Sequence, residues 1–260
     1  GKLRPLGIPT LYDRAMQALY AFTLKPIAET TGDKHSYGFR EKRSLHDAGK
    51  MAFIVLAQKT SAQWILEADI QACFDQISHD WLMKHIALPK RLLKQWLTSG
   101  YMDQSVLYDT EAGTPQGGII SPLLCNLTLD GLEALIAPAK YSKHRSKRHV
   151  IRYADDFIII GASYAELDRE IRPKVEAFME ERGLKLSEEK TKISHIQDGF
   201  DFLGFNLRKY KDKLLITPQK DKPQHLLKKI RVLLQQYRGI PFYALLAKLN
   251  AVIRGWAYAY

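Results

Sequence analysis

Three aspartates occupy positions where a carboxylate needs a partner. Asp69 ends the apolar run that starts at Trp64, and Asp155 and Asp156 stand between two runs rich in β-forming residues. A carboxylate in apolar surroundings either shifts its pKa or binds a cation. If these three side chains converge, they cannot all stay ionised unless cations neutralise them. Hard oxygen ligands favour Mg²⁺, so the pattern predicts a magnesium site for phosphoryl transfer.

The flanking residues predict the elements that would bring these acids together. Residues 64–69 are predicted to form a buried strand, and residues 150–153 and 157–160 are predicted to form a tight hairpin. An Asp-Asp pair alone is also a common turn sequence. The β-rich flanks and the further aspartate at a strand end favour the functional interpretation.

Apolar spacing predicts the helices. Apolar residues recur at three- and four-residue intervals over 11–30 and 44–58. Residues 119–136 predict an apolar helix, and residues 165–182 predict an amphipathic helix that ends at Gly183. Ser78 is predicted to cap a helix that runs to about Ile86. Residues 200–208 predict a further strand or hairpin. After Pro218, an apolar stripe with basic residues opposite it predicts a helix that ends at Gly239, and a second helix starts at Pro241.

The net charge of +11 is unevenly distributed along the chain. Residues 1–60 carry +5, residues 61–210 carry −2 and residues 211–260 carry +8. A mildly acidic middle between two basic ends is typical of a protein that holds a polyanion around a carboxylate site. The alternative, above all for the C-terminal run, is that these charges only keep the surface soluble.

The composition also bears on the class of protein and its location. No run of 18 or more apolar residues is present, so the sequence predicts no membrane span. Cys73 and Cys125 lie far apart without a C-x-x-C partner, which argues against a zinc site and a disulfide framework. Two isolated cysteines fit a reducing compartment, so a cytoplasmic location is expected.

Three motifs, in the same order along the chain, resemble those of reverse transcriptases. Asp-Ile-Gln-Ala-Cys-Phe-Asp at 69–75 is similar to the first aspartate motif of that family. Gly-Thr-Pro-Gln-Gly-Gly-Ile-Ile-Ser-Pro at 113–122 is similar to the motif that follows it. Tyr-Ala-Asp-Asp at 153–156 resembles the catalytic hairpin. The resemblance covers nearly all of the 260 residues, and the three motifs together are highly specific.

Within this family, the chain most resembles the group II intron-encoded proteins. Arg-Pro-Leu-Gly-Ile-Pro at 4–9 and Ser-Tyr-Gly-Phe-Arg at 36–40 carry the resemblance in the N-terminal part. Leu-Asn-Ala-Val-Ile-Arg-Gly-Trp at 249–256 is similar to the thumb segment of maturases. A retron or CRISPR-associated bacterial reverse transcriptase is the alternative, and the segment 249–256 argues against it.

The resemblance implies an α+β chain with the right-hand polymerase fold. Fingers and a palm with an RRM-like antiparallel sheet would precede a small C-terminal helical thumb. Residues 1–60 would be a partial fingers domain, residues 61–210 the palm, and residues 211–260 a basic helical thumb or maturase segment, also partial. The resemblance also implies that the chain opens inside a fingers motif and is part of a longer protein.

The resemblance implies a role for each residue that matches a family motif. Asp69 and Asp155 would bind two Mg²⁺ ions, with Asp156 in support and the carbonyl of Ile70 as a further ligand. Lys190 would be a general acid that protonates the leaving pyrophosphate. The residues expected to bind the incoming nucleotide are Arg4, Ala72, Cys73, Phe74 and Gln116. The expected primer grip consists of Phe202, Leu203 and Gly204.

Several of these residues also have a purely structural alternative. In the family, an aromatic ring at the position of Phe74 packs under the sugar and excludes a 2′-hydroxyl, which favours dNTPs; the alternative is a core phenylalanine. Arg4 offers a fork that matches phosphate geometry, or it is an ordinary surface arginine. Lys190 lies in a charged run that solvation explains nearly as well, and residues 202–204 would also fit the core of a strand.

Two functions follow from the resemblance. The first is an RNA-directed DNA polymerase that extends a DNA or RNA primer with dNTPs along an RNA template. The second is a maturase that binds its group II intron RNA and stabilises the spliced fold through basic residues. The residues expected to bind RNA are Lys228, Lys229 and Arg231. The two functions can coexist in one protein.

Overall fold

The computed structural model describes residues 8–103, 106–108, 112–114, 117–138 and 147–260. Its helices are α1 (Leu11–Thr31), α2 (Leu45–Leu56), α3 (Cys73–Gln76), α4 (His79–His85), α5 (Lys90–Leu97), α6 (Ser121–Leu129), α7 (Leu132–Ile136), α8 (Tyr164–Glu166), α9 (Arg172–Glu180), α10 (Asp221–Gln236) and α11 (Phe242–Ala259). Its strands are β1 (Trp64–Asp69), β2 (Tyr101–Asp103), β3 (Val106–Tyr108), β4 (His149–Tyr153), β5 (Asp156–Gly161), β6 (Lys192–His195), β7 (Phe200–Phe202), β8 (Phe205–Tyr210) and β9 (Lys213–Pro218). A π-helical turn, Leu167–Ile171, joins α8 to α9. Helices and antiparallel strands together confirm the predicted α+β class.

The central sheet has four antiparallel strands in the order β4-β5-β1-β6. β1 spans the residues predicted from the sequence, 64–69. β4 and β5 form the predicted hairpin and pair from His149 to Asp156. Because β1 lies between β5 and β6, the strand that ends at Asp69 is adjacent to the strand that begins at Asp156.

Side chains alternate between the two faces of this sheet, and different elements cover each face. Leu66 points into a core formed with the helices that follow β1 and with α1. Ile65 and Ile158 point into a second core, formed with α2 and with β7, β8 and β9. Asp69 and Asp156 follow the same two-residue alternation as these isoleucines. The acids therefore belong to the second face, at the end of the sheet.

Side-chain caps begin three of the predicted helices. Thr10 accepts a hydrogen bond from the backbone nitrogen of Asp13 at the start of α1. Ser44 and Asp47 form a reciprocal capping box at α2. Ser78 accepts from the backbone at the start of α4. These caps confirm the helices predicted from residues 11, 44 and 78.

The single helix predicted over 119–136 is wrong, because two helices occupy this range. α6 ends at Leu129, Asp130 adopts an extended conformation, and Gly131 has a φ of +97° before α7 begins. Apolar residues recur at helical spacing through the break, which is why the sequence predicts one helix. The break turns the carboxylate of Asp130 toward Arg152, with Oδ1 and Nη2 2.6 Å apart.

The C-terminal part consists of a small sheet followed by two helices. β7, β8 and β9 pair antiparallel, so strand pairing crosses the predicted domain limit at residue 210. The helical segment begins at Asp221, and α10 packs on α11. The chain then returns to the small sheet, where the rings of Tyr260 and Phe205 are 5.4 Å apart. In the part of the chain that the structure describes, every helix is too short or too polar to cross a membrane.

Candidate active site

The three aspartates predicted from the sequence meet at one end of the central sheet. Asp69, the last residue of β1, is the antiparallel partner of Asp156, the first residue of β5. Asp155 immediately precedes β5 in the turn from β4, where Ala154 has a φ of +56°. The predicted meeting of two distant stretches of chain is therefore confirmed.

Proximity of the carboxylates changes their titration. Desolvation, the charge of Asp155 and a hydrogen bond with Asp69 raise the pKa of Asp156 to about 6. Asp156 is nevertheless a solvent-exposed residue, so screening weakens the effect of desolvation and the like charges carry more of the shift. A cluster that retains a proton this close to neutral pH favours a bound cation.

Lys190 supplies one positive charge to this cluster. Its Nζ lies 2.7 Å from Oδ2 of Asp69, and this hydrogen bond raises the pKa of Lys190. The lysine side chain is 67% exposed, so the ion pair is weak and can exchange with water. The structure therefore brings the predicted general acid into contact with the acidic cluster.

The donor set at this site fits divalent cations that prefer oxygen. Carboxylates and a main-chain carbonyl are the hard ligands that such ions take. Across the described ranges, no three His, Cys, Asp or Glu side chains already surround one point as a metal site would. The ammonium of Lys190 on Asp69 and the proton on Asp156 would compete with a divalent cation for these carboxylate oxygens. Ile70 is buried and bridges to Leu186, and its role as a carbonyl ligand stays a prediction.

The turn after β1 carries the residues predicted to bind the nucleotide. Ala72 has a left-handed φ of +45° and begins α3. The Cys73 side chain is buried with its Sγ 3.6 Å from Sγ of Cys125, so only its backbone can face a ligand. Phe74 is half-buried, and its ring centroid lies 6.2 Å from that of Phe39 in an edge-to-face pair. A partly exposed aromatic pair is therefore present at the predicted sugar-contacting position.

A cavity of about 560 Å³ runs from the acids to the C-terminal part. Its lining residues include Asp69, Asp156, Lys190, Leu203, Gly204 and Tyr260. Leu203 and Gly204 form the tight turn between β7 and β8, with φ values of +52° and +85°. The predicted primer-grip turn thus shares a cavity with the acids. A larger cavity of about 900 Å³ lies between α1 and α6, and no residue predicted for the site lines it.

The remaining predicted residues lie elsewhere. Arg4 and Gln116 fall outside the described residues. Three basic side chains of α10 are exposed, as RNA binding requires: Lys228, Lys229 and Arg231. Their contact with RNA stays a prediction.

Two charged residues beside the acids were not predicted from the sequence. Arg152 in β4 has a side chain that is only 2% exposed, and it forms an ion pair with Asp130. Glu67 lies two residues before Asp69 in β1, and its Oε1 accepts a hydrogen bond of 2.6 Å from Ser194 Oγ. Desolvation raises the pKa of Glu67. The available signal was a charged residue inside an apolar β-run.

The antiparallel sheet is backed by helices and carries converging aspartates at its end. A cavity leads from these aspartates to basic helices. This arrangement defines the palm of a template-directed nucleic-acid polymerase. Comparison with known proteins agrees. Residues 1–207 match the family model described as reverse transcriptase (RNA-dependent DNA polymerase). The chain belongs to the reverse transcriptase family. Members of this family bind RNA templates and primers and generally use divalent metal ions.

Two curated relatives match most of the chain, and the name of one of them indicates the branch of the family. The chain is 34% identical over 242 residues to protein YkfC of Escherichia coli (strain K12), covering 80% of this chain and 64% of YkfC. It is 30% identical over 270 residues to the group II intron-encoded protein LtrA of Lactococcus lactis subsp. cremoris, covering 80% of this chain and 45% of LtrA. The chain thus spans less than two thirds of the length of either relative. The predicted resemblance to group II intron-encoded proteins is confirmed.

A solved structure confirms the predicted right-hand polymerase fold. Apo telomerase from Candida tropicalis superposes with a TM-score of 0.61 at 11% identity, covering 95% of this chain and 50% of that chain. At this identity the likeness extends to the fold alone.

Proposed function

We propose that this protein is an RNA-directed DNA polymerase that adds deoxynucleotides to the 3′-hydroxyl of a primer. The observation that carries the proposal is the pairing of Asp69 with Asp156 at the end of the sheet, with Asp155 beside them. Nucleotidyl transfer requires negative oxygen ligands at one point, next to a space that accepts the primer end. The shared cavity supplies that space.

We propose two Mg²⁺ ions as the metals of this site. The carboxylates of Asp69 and Asp155 would hold them, with the Ile70 carbonyl as a further ligand and Asp156 in support. When bound, such ions lower the pKa of the primer hydroxyl and neutralise the triphosphate. The chain itself keeps the ligands in place, because β1 and β5 are paired from Trp64 to Asp69.

Lys190 would supply a proton to the leaving pyrophosphate. The hydrogen bond to Asp69 raises its pKa, so the ammonium is charged at neutral pH. Its side chain is largely exposed, so it is free to exchange Asp69 for a phosphate oxygen.

Phe74 would select the sugar of the incoming nucleotide. Its ring stands beside Phe39 next to the turn that starts α3. The backbone of Ala72 and Cys73 would contact the nucleotide, with Arg4 on the triphosphate. Gln116 would face the nucleotide, because the two glycines after it allow close backbone approach.

The proposed partners are an RNA template, a DNA or RNA primer and dNTPs. The relative LtrA is named a group II intron-encoded protein, which supports group II intron RNA as the template. The +8 charge of residues 211–260 favours a second function, that of a maturase that grips this RNA through α10. The free thiols of Cys73 and Cys125 support a reducing, cytoplasmic setting.

Primer extension on an RNA template tests the proposal, with dNTPs against NTPs and with Mg²⁺ against EDTA. Asp155→Asn is expected to abolish synthesis and to leave RNA binding intact, because it removes a metal ligand and no basic residue. Asp198→Asn, which alters an exposed aspartate between β6 and β7, is the control and is expected to keep synthesis. Normal synthesis by Asp155→Asn would refute the role of Asp155 as a metal ligand, and failure of the native protein to incorporate dNTPs would refute the polymerase. Retained splicing by the same variant would support the maturase function.

A further inference from the structure

Arg152 is a charged residue on the helix-facing side of β4. Val150, on the same side of the strand, belongs to the apolar core, and the Arg152 side chain is only 2% exposed. A buried ion pair is often no more stable than an apolar replacement of similar volume. Core stability alone therefore does not account for a guanidinium at this position, and its partners indicate another role.

The guanidinium of Arg152 joins the catalytic turn to α6. Nη2 donates to Oδ1 of Asp130 at 2.6 Å, and Nη1 donates to Oδ1 of Asn126 at 3.0 Å. Nη1 also lies 3.4 Å from the carbonyl oxygen of Ala154 in the turn between β4 and β5. Because a guanidinium is planar and its donors are fixed relative to one another, these contacts constrain the turn and the helix together.

The loop between α1 and α2 closes these contacts into a ring. Nδ2 of Asn126 donates to the carbonyl of Gly38 at 2.8 Å. Gly38 lies directly against the turn, since a methyl group added there would collide with the backbone nitrogen of Ala154. The backbone of Arg152 pairs with the same loop, residues 35–37, through two hydrogen bonds of 2.9 Å. The turn-support ring is formed by Arg152, Asn126, Gly38 and Ala154.

The turn depends on such support because its own backbone conformation is unfavourable. Ala154 has a φ of +56°, in the left-handed region that residues with a Cβ rarely adopt. Asp155 follows immediately. Relaxation of Ala154 toward a negative φ would therefore move the Asp155 carboxylate away from Asp69.

We propose that Arg152 is a positioning residue that fixes the turn carrying Asp155 for nucleotidyl transfer. It acts through Ala154 and Gly38 rather than on the substrate, and this role rests on the proposed polymerase function. A displacement of about 1 Å at a reacting centre can lower turnover by about 100-fold. Binding of the nucleotide also depends on elements outside this turn, including the turn at 72–74, so we expect KM to change less than kcat.

Arg152→Met tests this role, because methionine fills comparable space without a charge or a donor. We expect kcat for primer extension to fall by about 100-fold, while KM for the dNTP changes by less than about threefold. Arg152→Lys is expected to recover part of kcat. Its ammonium can keep the ion pair with Asp130 but cannot bind Asn126 and the turn at the same time.

Arg182→Met is the matched control for loss of a buried arginine. Arg182 is 9% exposed and donates to the carbonyls of Thr128 and Phe178 at 2.7 and 2.8 Å. None of these residues belongs to the turn-support ring. We expect this variant to lower the melting temperature and to leave kcat unchanged.

Gly38→Ala disturbs the turn-support ring without altering Arg152. If Arg152→Met fails to fold, Gly38→Ala tests whether the ring positions the turn. The new methyl group must displace Ala154, so the same selective loss of kcat is expected. Gly49→Ala in α2 is its control, because no atom lies within 4 Å of the added methyl group.

Hydrogen exchange of the amides of residues 153–157 provides a readout that does not depend on catalysis. We expect faster exchange in Arg152→Met and Gly38→Ala than in the native protein and the two controls. Exchange and kcat equal to those of the controls would overturn the role of Arg152. If the native protein incorporates no dNTP, the proposed function fails, and exchange alone then decides whether Arg152 holds the turn.

Discussion

The charge balance among Asp69, Asp155, Asp156 and Lys190 controls what the site can bind. The ammonium of Lys190 lies 2.7 Å from Asp69 and interacts electrostatically with the other two acids. One ammonium cannot neutralise three carboxylates, and the remaining repulsion contributes to the raised pKa of Asp156. A divalent ion at the cluster would relieve this repulsion and release both the proton and the ammonium.

The raised pKa of Asp156 predicts a pH dependence of stability in the metal-free protein. Its pKa is about 6 in the folded protein against a reference value of 3.8, so the folded state binds this proton more tightly. The resulting stability is fully present below the reference pKa and is lost as the pH rises through about 6. In EDTA, Asp156→Asn should therefore raise the melting temperature more at about pH 7.5 than at about pH 4.5.

Asp198→Asn is the control for that measurement, since Asp198 is exposed and distant from the cluster in the chain. It should shift the melting temperature little at either pH. An equal shift by Asp156→Asn at both pH values would show that repulsion at Asp156 does not limit stability.

Phe74 is predicted to select the sugar of the incoming nucleotide. Phe74→Val removes the ring and leaves room for a 2′-hydroxyl, so kcat/KM for NTPs should rise about tenfold or more relative to dNTPs. The measurement is primer extension with each nucleotide set. Phe53→Val, on the exposed surface of α2, should leave the ratio unchanged. Unaltered discrimination by Phe74→Val would rule out its role as a sugar gate.

At the level of single elements, local pattern predicted the strands that carry the acids. Short runs of apolar and β-forming residues predicted β1, β4 and β5, and the interior residues of these strands are buried on both faces of the sheet. The break between α6 and α7 was missed because apolar spacing continues across Asp130 and Gly131. Its cause is tertiary: Asp130 leaves the helix where Arg152 binds its carboxylate. The π-helical turn before α9 was also not predicted, because the apolar residues keep their helical spacing through it.

The β7–β8 turn is the element whose geometry can be tested directly. Gly204 has a φ of +85°, and an added Cβ would lie 3.2 Å from the hydroxyl of Tyr260. Gly204→Ala should destabilise the turn by about 1 kcal/mol and raise KM for the primer–template while KM for dNTP stays the same. Gly239→Ala meets no atom within 4 Å and is the control. An unchanged primer KM would contradict the primer-grip role.

At the scale of the whole molecule, the site depends on strand order, which periodicity does not contain. Asp69 reaches Asp156 only because β1 inserts between β5 and β6. The prediction that these acids meet came from the family motifs. The motifs imply this strand arrangement but do not give its physical cause. The turn-support ring had no such motif. Its members come from the loop after α1, from α6 and from β4, and only the folded chain brings them together.

The charge distribution is also a property of the whole chain, and it predicts where RNA is held. Residues 211–260 carry +8, and Lys228, Lys229 and Arg231 of α10 are exposed and do not line the cavity at the acids. Neutralising phosphates releases counterions, so removing a basic side chain that neutralises a phosphate weakens binding and lowers its salt dependence. The variant that tests this carries Lys228→Gln, Lys229→Gln and Arg231→Gln.

We expect this triple variant to bind RNA more weakly, with a log–log salt slope reduced by about one for each phosphate that is no longer neutralised. At saturating primer–template its kcat should not change, because none of the three residues lines the cavity at the acids. The matched control removes the same charge from exposed positions of α4 and α5: Lys84→Gln, Arg91→Gln and Lys94→Gln. If both triple variants weaken RNA binding equally, net charge rather than the α10 surface attracts RNA, and the proposed RNA-binding role of α10 is contradicted.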